Sequence, residues 1–363
     1  MTTTVPRPSG RRTVRDRLFR LAETVTTPLL PDDYLDMVAP LRSGAALRGR
    51  ILDVRPETRD AATVTIRPGR GWRGHTPGQY VRLGVDVDGV RQWRAYSLTS
   101  APGRRDGLIS VTVKAIPDGR VSNHLVRRVR PGTLVQLDQA QGDFVAPATA
   151  PRKVLFLTAG SGITPVMGML RAGVPASADV VLVHSAPTPD DVIFAAELRG
   201  LAARGAIRLV ERHTDTDGVL GVAELADLVP DHLDRQTWAC GPVGLLDAVE
   251  AHWAAHGAAD RLHTERFRPT VISPGTGGDV TFTRAGVTVA ADGGTALLDA
   301  GEDAGVLMPS GCRMGICFGC VVPLRQGAVR DLRTGEITTA VPGDGVLIQT
   351  CVSAAAGTCD IDL

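Results

Sequence analysis

The sequence predicts three modules in series: an antiparallel β-barrel, a doubly wound parallel α/β domain, and a small C-terminal module organised around cysteines. Three observations predict them. Over residues 46–150, short β-branched or alternating runs follow one another with Gly, Pro and Asp turns between them, as in a small barrel. Over residues 151–268, strand-like and helix-like segments alternate, which implies a parallel sheet wound with helices. Beyond a Pro/Gly-rich stretch, Cys312, Cys317 and Cys320 fall within nine residues of one another.

The elements follow in order. Residues 1–45 form an N-terminal helical extension. Residues 1–20 carry six arginines against one acid, Asp16, and Val14, Leu18, Leu21 and Val25 recur at helical spacing, so an amphipathic helix with an arginine face is expected. Thr27-Pro28 and Leu30-Pro31 break it, and PDDYLDM starts a second short helix. In the barrel the strands are ATVTIRP, GQYVRLGVDV, RAYSLTS, GLISVTVKAI and TLVQLDQAQGDF, with one helix over Ser122–Val129. In the α/β domain KVLFLT, DVVLVH, IRLVERH, TWAC and RLHTERF are strands. The helices there are ITPVMGMLRAG, DVIFAAELRGLAARG and GLLDAVEAHWAAHG. Residues 269–279, PTVISPGTGGD, read as a linker. The final module, 280–363, is acidic: ten acids from Asp279 onward face five arginines.

Composition narrows the function classes. Apolar residues make up 43% of 363, so ordinary globular cores are affordable, and a net charge of +1 gives no global field for nucleic acid. No run approaches 18 apolar residues, so no transmembrane helix is expected, and no apolar h-region follows the first arginines. Without an export signal, clustered cysteines point to metal binding rather than to disulfides.

Cys312, Cys317 and Cys320 form a C-x4-C-x2-C run, and Cys351 follows 31 residues later. This is the plant-type spacing for a [2Fe–2S] cluster: three thiolates on one wrapping loop and a fourth from a distant segment. Gly311, Gly315 and Gly319 let the loop turn its N–H groups toward sulfur. Tetrahedral zinc also accepts four cysteines, but such sites usually show two CxxC-like pairs. Cys359 lies outside the spacing and reads as a bystander.

Other motifs are weak singly. RAYSLTS puts Arg94, Tyr96 and Leu98 on one strand face and Ser97 and Thr99 on the other. GRVSNHL, from Gly119, reads as a turn into a helix start, where N–H groups and the Ser122 hydroxyl suit a diphosphate. After VLFLT, ending at Thr158, AGSGITPVM places Gly160 and Gly162 at a strand-to-helix turn with Thr164 and Pro165 entering the helix. It departs from G-x-G-x-x-G at Pro165. CGP, Cys240–Gly241–Pro242, ends a strand at the carboxyl edge, where such sheets bind ligands.

Together, in the order R-x-Y-S, G-x-x-S, G-x-G-x-T-P, C-G-P and the cysteine run, these motifs resemble the ferredoxin–NADP reductase superfamily. The likeness is to its bacterial oxygenase-reductase branch with a fused plant-type ferredoxin, and it covers residues 46–363. The resemblance implies a flavin-binding barrel, a nicotinamide domain and a β-grasp ferredoxin-like domain. By position, Arg94 would face flavin phosphate, Tyr96 would stack on the isoalloxazine, and Gly119 and Ser122 would hold the diphosphate. Thr158, Gly160, Gly162, Thr164, Gly241 and Pro242 would hold the nicotinamide dinucleotide. Ser97 near flavin N5, Cys240 in the nicotinamide pocket and Glu265 of ERF would be the catalytic groups, with Phe267 near the flavin.

The implied function is an NAD(P)H-dependent reductase: electrons pass through FAD to the cluster and on to a separate terminal enzyme. FAD is favoured over FMN by the diphosphate-like turn, and NADPH over NADH by Ser185, Thr188 and Arg212. The acceptor classes are a desaturase, an oxygenase or a haem monooxygenase. TPLLPDDYLDMVAPLRS (27–43) resembles the leader on reductases that serve acyl-CoA or fatty-acid desaturases in actinobacteria. A cytoplasmic protein is expected, with residues 1–30 meeting the inner membrane face through their arginines. The competing reading is an electron carrier or redox sensor without efficient nicotinamide oxidation.

Overall fold

Six strands make the first sheet of the computed structural model: β1 (Arg48–Thr58), β2 (Ala61–Pro68), β3 (Tyr80–Val87), β4 (Val90–Ser97), β5 (Ile109–Lys114) and β6 (Leu134–Leu137). The structure describes residues 31–117, 119–147, 149, 151–173, 175, 177–267, 275–311, 313–315 and 318–363. The expected amphipathic helix of residues 1–30, linker residues 269–274, and Cys312 and Cys317 lie outside the described residues. A short helix, α1 (Pro31–Val38), occupies the PDDYLDM stretch, and Asp36 on it meets Arg42 at 2.9 Å and Arg48 at 3.7 Å, tying it to β1.

The strand order is β4-β3-β6-β1-β2-β5, antiparallel throughout, and a bridge between Leu98 and Val111 joins the two ends and closes the barrel. Periodicity does not predict β1, because Pro56 and five charged side chains obscure it; it is recruited by pairing with β2 and β6. The β3–β4 hairpin turns on Asp88-Gly89, both at positive φ (52° and 80°), the conformation in which a two-residue loop matches strand twist. Inward residues such as Ile51, Val64, Ile66, Leu83 and Val111 are fully buried. Each contributes about 1.5–3 kcal/mol relative to exposure. Helix α2 (Arg120–Arg127) begins two residues before the expected start and buries Val121 and Leu125 against the barrel.

The second sheet contains β7 (Lys153–Ala159), β8 (Asp179–Ala186), β9 (Arg208–His213), β10 (Gln236–Cys240) and β11 (Leu262–Glu265), all parallel, in the order β11-β10-β7-β8-β9. Helices α3 (Ile163–Ala172) and α4 (Ala195–Ala203) supply Ile163, Val166, Leu198 and Leu201 to one face. On the other, α5 (Leu225–Leu228) and α6 (Val243–Ala255) supply Leu225, Leu246, Val249 and Trp253. Strands covered on both faces explain the unbroken apolar run VLFL. Helix α4 is shorter than its periodicity suggests. A 3-10 turn at Pro189–Asp191 and Phe194 at φ 65° precede it. The strand order reverses between β7 and β10, which opens a crevice at their carboxyl ends.

The last module is a mixed sheet: β12 (Gly275–Phe282), β13 (Val287–Gly293), β14 (Val321–Asp331), β15 (Ile337–Ala340), β16 (Leu347–Gln349) and β17 (Ser353–Ile361). β12 and β17 run parallel, and helix α7 (Leu297–Asp303) buries Leu297 and Leu298 in the same core as Phe282, a β-grasp arrangement. Strand β12 starts inside the stretch read as linker. Its Gly-rich beginning is bulged between Gly275 and Gly278, so the sequence looks turn-like while the backbone pairs with β13.

Barrel and α/β domain are locked together. The Arg171 guanidinium on α3 donates to the Thr99 carbonyl at 2.8 Å and forks onto Glu197. Gly168 admits the Leu98 carbonyl so closely that a Cβ there would sit 2.4 Å from it. The end of β4 is thereby held against the helix that begins at the glycine turn.

Candidate functional site

The crevice predicted by the strand order is a cleft of about 450 Å³. Its walls are the β7–α3 turn (Gly160, Ser161, Gly162), the end of β8 (Ser185), the Gly241–Pro242 turn, Arg266 and Phe267, with Lys114 reaching in from the barrel. The site therefore draws on both domains.

Parallel register sets a row of strand ends just beneath it. Cys240 lies beside Thr158 on one side and Glu265 on the other, so three residues far apart in sequence end three adjacent strands in one row. Glycine is required at position 162: a Cβ there would be 2.0 Å from the Cys240 carbonyl oxygen. At Gly160 the need is conformational, since its φ is 54° and the space beyond is open.

Electrostatics single out the same row. Burial raises the Glu265 carboxyl to about 8, and its Oε2 is buried without a hydrogen-bond partner. Burial, reinforced by Glu265, pushes the Cys240 thiol well above its ordinary range. Both groups are held protonated near neutrality, which suits a pocket for an uncharged ring. Phe267 is 38% exposed at the cleft. Arg266 between them is anchored to α6 through Asp247 and Glu250, each at 2.8 Å, which fixes the ERF tail.

Two expected contacts have another geometry. The Thr158 side chain is fully buried and shares a 2.8 Å hydrogen bond with His184 Nδ1, behind the cleft rather than in it. Burial lowers His184 to about 4, so the imidazole stays neutral. The Thr164 hydroxyl donates to the Ser161 carbonyl at 2.9 Å and shapes the turn.

On the barrel, β4 presents Arg94, Tyr96 and Ser97. Burial lowers Arg94 to about 10, with Arg313 adding to that effect, and its Nη1 donates to the Trp93 carbonyl at 2.8 Å. Burial raises the Tyr96 phenol, and Ser97 Oγ is buried without a partner, an atom in want of a ligand. At the start of α2 the Ser122 hydroxyl donates to the Gly119 carbonyl at 3.1 Å, and Asn123 Nδ2 reaches the Ile116 and Gly119 carbonyls, each at 2.9 Å. The first turn is pinned and carries no acid, so its N–H ends fit an anion. Flavin chemistry fits this strand and turn.

In the last module Cys320 and Cys351 are both buried on neighbouring segments, where the Thr350 N–H and hydroxyl both donate to the Cys320 carbonyl. Segments 31 residues apart thus meet, as a four-thiolate cluster requires. Arg333, which motif reasoning missed, anchors the loop. It donates to the Gly315 carbonyl at 3.1 Å, is held by Asp331, and is electrostatically coupled to Cys320 and Cys351. Lys114, Arg266 and His184 were missed as well. Lys114 and His184 belong to no motif, and Arg266 is the middle residue of E-R-F, which was read only for its two neighbours.

Comparison with known proteins agrees along the chain. A family profile described as an oxidoreductase FAD-binding domain matches residues 70–145. One described as an oxidoreductase NAD-binding domain matches 156–251, and a 2Fe-2S iron-sulfur cluster binding domain matches 280–356. A Mycobacterium tuberculosis protein described as an NADPH oxidoreductase is 53% identical over 353 residues, covering 95% of this chain and 92% of its own. The ferredoxin reductase component of a 3-ketosteroid-9-alpha-monooxygenase from Mycolicibacterium smegmatis is 32% identical, covering 77% and 86%. Among solved structures, phthalate dioxygenase reductase shares the fold, with a TM-score of 0.60 at 22% identity over 87% of this chain and 97% of its own.

Proposed function

Since the chain belongs to the ferredoxin–NADP reductase-like family, as an NAD(P)H oxidoreductase with FAD, NAD(P) and C-terminal [2Fe–2S] domains, we propose that it is the reductase component of a two-protein system and delivers electrons to a separate oxygenase. The observation that carries this is the shared cleft. Lys114 of the barrel, the glycine turn, Gly241–Pro242 and Phe267 meet in one cavity, and the Cys240–Glu265 row underlies it.

When bound, FAD turns the two-electron hydride of a nicotinamide into single electrons, the proton passing to solvent, and the [2Fe–2S] cluster carries them one at a time to the acceptor. The residues supply position and environment. Gly160 and Gly162 let backbone amides approach the pyrophosphate, with Gly241 and Pro242 forming the opposite wall. Thr158 and Thr164 shape the floor and the turn. Cys240 and protonated Glu265 sit one residue behind the cleft wall at Gly241 and Arg266 and would back the nicotinamide end without adding charge. Arg94, Gly119 and Ser122 would hold the flavin phosphates, Tyr96 and Ser97 would lie against the ring, and Phe267 would shield it from water. Cys312, Cys317, Cys320 and Cys351 would ligate the cluster.

NADPH is the favoured donor. Of the three residues suggested for its 2′-phosphate, Arg212 is engaged by Glu224 at 2.6 Å and Thr188 by Asp191 at 2.8 Å, which leaves Ser185 in the cleft. The name of the 53% identical relative supports the same choice. Ser185→Asp should lower kcat/KM for NADPH at least tenfold and for NADH less.

The oxygenase partner rests on what the relatives serve. A desaturase acceptor rests on the leader alone. No helix among the described residues is long and apolar enough to cross a membrane. Its setting in this proposal is the cytoplasm, where the arginines of residues 1–30 would meet an anionic membrane face. Reconstitution tests the whole reading: purified protein, NADPH or NADH, and in turn an oxygenase and a desaturase. Flavin absorbance that stays oxidised under excess of either nicotinamide would leave the electron-carrier reading instead.

A further inference from the structure

We propose that Glu302 is a positioning residue for electron transfer from the flavin site to the cluster: its carboxylate, shared by Arg94 of the barrel and Arg313 of the cysteine loop, seats the cluster module against the flavin strand. This rests on the electron route proposed above.

The geometry is a chain of charges across the seam between two modules. Glu302, on α7, has Oε2 3.9 Å from Arg94 Nη2, and its Oε1 accepts a hydrogen bond from Arg313 Nη2. Arg313 Nη1 bonds Asp299, one turn earlier on α7, at 2.6 Å. Arg94 lies on the strand that carries Tyr96 and Ser97, and Arg313 follows Cys312 directly in sequence. One carboxylate therefore touches the flavin strand on one side and the cluster loop on the other. Arg313 also has φ 60°, a left-handed conformation unusual outside glycine, asparagine and aspartate, so its placement is maintained by its surroundings.

The two arginines make the carboxylate necessary. The three side chains are only 21–27% exposed, so their charges are less screened than those of an ordinary surface pair. Arg313 acts on Arg94 as a like charge. With Glu302 between them the seam is attractive; without it only Asp299, bonded to Arg313, offsets the like charges of the two guanidinium groups, and the attraction is largely lost. The modules agree with this on a larger scale. Residues 46–147 carry seventeen Arg and Lys against nine acids, whereas residues 280–363 carry nine acids against five arginines.

Anaerobic stopped-flow with NADPH on the full-length holoprotein separates the two steps through flavin bleaching and cluster bleaching. Glu302→Gln should leave the flavin phase within twofold and slow the cluster phase at least tenfold, while Glu302→Asp recovers most of the loss. Small-angle scattering should show a larger radius of gyration for Glu302→Gln at unchanged flavin and iron content. In the unaltered protein, raising salt from 50 to 500 mM should slow the cluster phase and leave the flavin phase, an arm that needs no variant to fold. An unchanged cluster phase in Glu302→Gln, or in high salt, overturns the proposal. A native protein whose flavin bleaches while its cluster never does overturns the electron route itself.

Discussion

At the scale of single residues, protonation state is the main lever. Glu265 titrates near 8 in the fold against an ordinary 4.5. Between those values the folded protein keeps a proton that the unfolded chain releases, so stability falls as pH rises from about 5 to 8 and levels off above. Glu265→Gln should flatten that slope and raise stability at pH 8 by on the order of 2 kcal/mol, read from unfolding at pH 6 and pH 8. Hydride transfer should slow in the same variant if the carboxyl lines the nicotinamide end. Thr158 gives the opposite pattern. Thr158→Val strips His184 Nδ1 of its partner and should cost about 1–3 kcal/mol of stability, while the KM for NADPH stays within twofold, because the hydroxyl lies behind the cleft.

At the scale of elements, the β7–α3 turn and strand β10 act as one piece. A methyl group at residue 162 would fall 2.0 Å from the Cys240 carbonyl, and backbone cannot move aside cheaply. Gly162→Ala should therefore lower the melting temperature and raise the KM for NADPH at least tenfold. Gly160→Ala meets open space and bears only the conformational penalty of positive φ, about 1 kcal/mol. Comparing the two variants separates steric fit from backbone conformation. Elements also show where periodicity misleads. β1 is a central strand whose alternation is obscured by charge, and β12 pairs through glycines that read as a linker. In both, the partner strand supplies the order that local propensity lacks.

At the scale of the whole molecule, direction comes from module order. Cys351→Ser should abolish cluster loading and acceptor-coupled turnover, while reduction of a small flavin-level acceptor such as ferricyanide by NADPH persists; iron content and both assays check it. The three modules, their order and the chemistry of the last can be read along the chain. Cysteine spacing and strand–helix rhythm are local patterns that survive without a fold. The glycine turn, C-G-P and E-R-F were legible as motifs too. Which of them come together depends on the folded chain: parallel register sets Thr158, Cys240 and Glu265 in one row, although 107 positions separate the first from the last. The fold also decided what no motif marks, such as Arg333 under the cysteine loop, Lys114 at the cleft and Glu302 between two arginines. Burial and charge contact depend on neighbours from distant segments, and a linear pattern does not contain them.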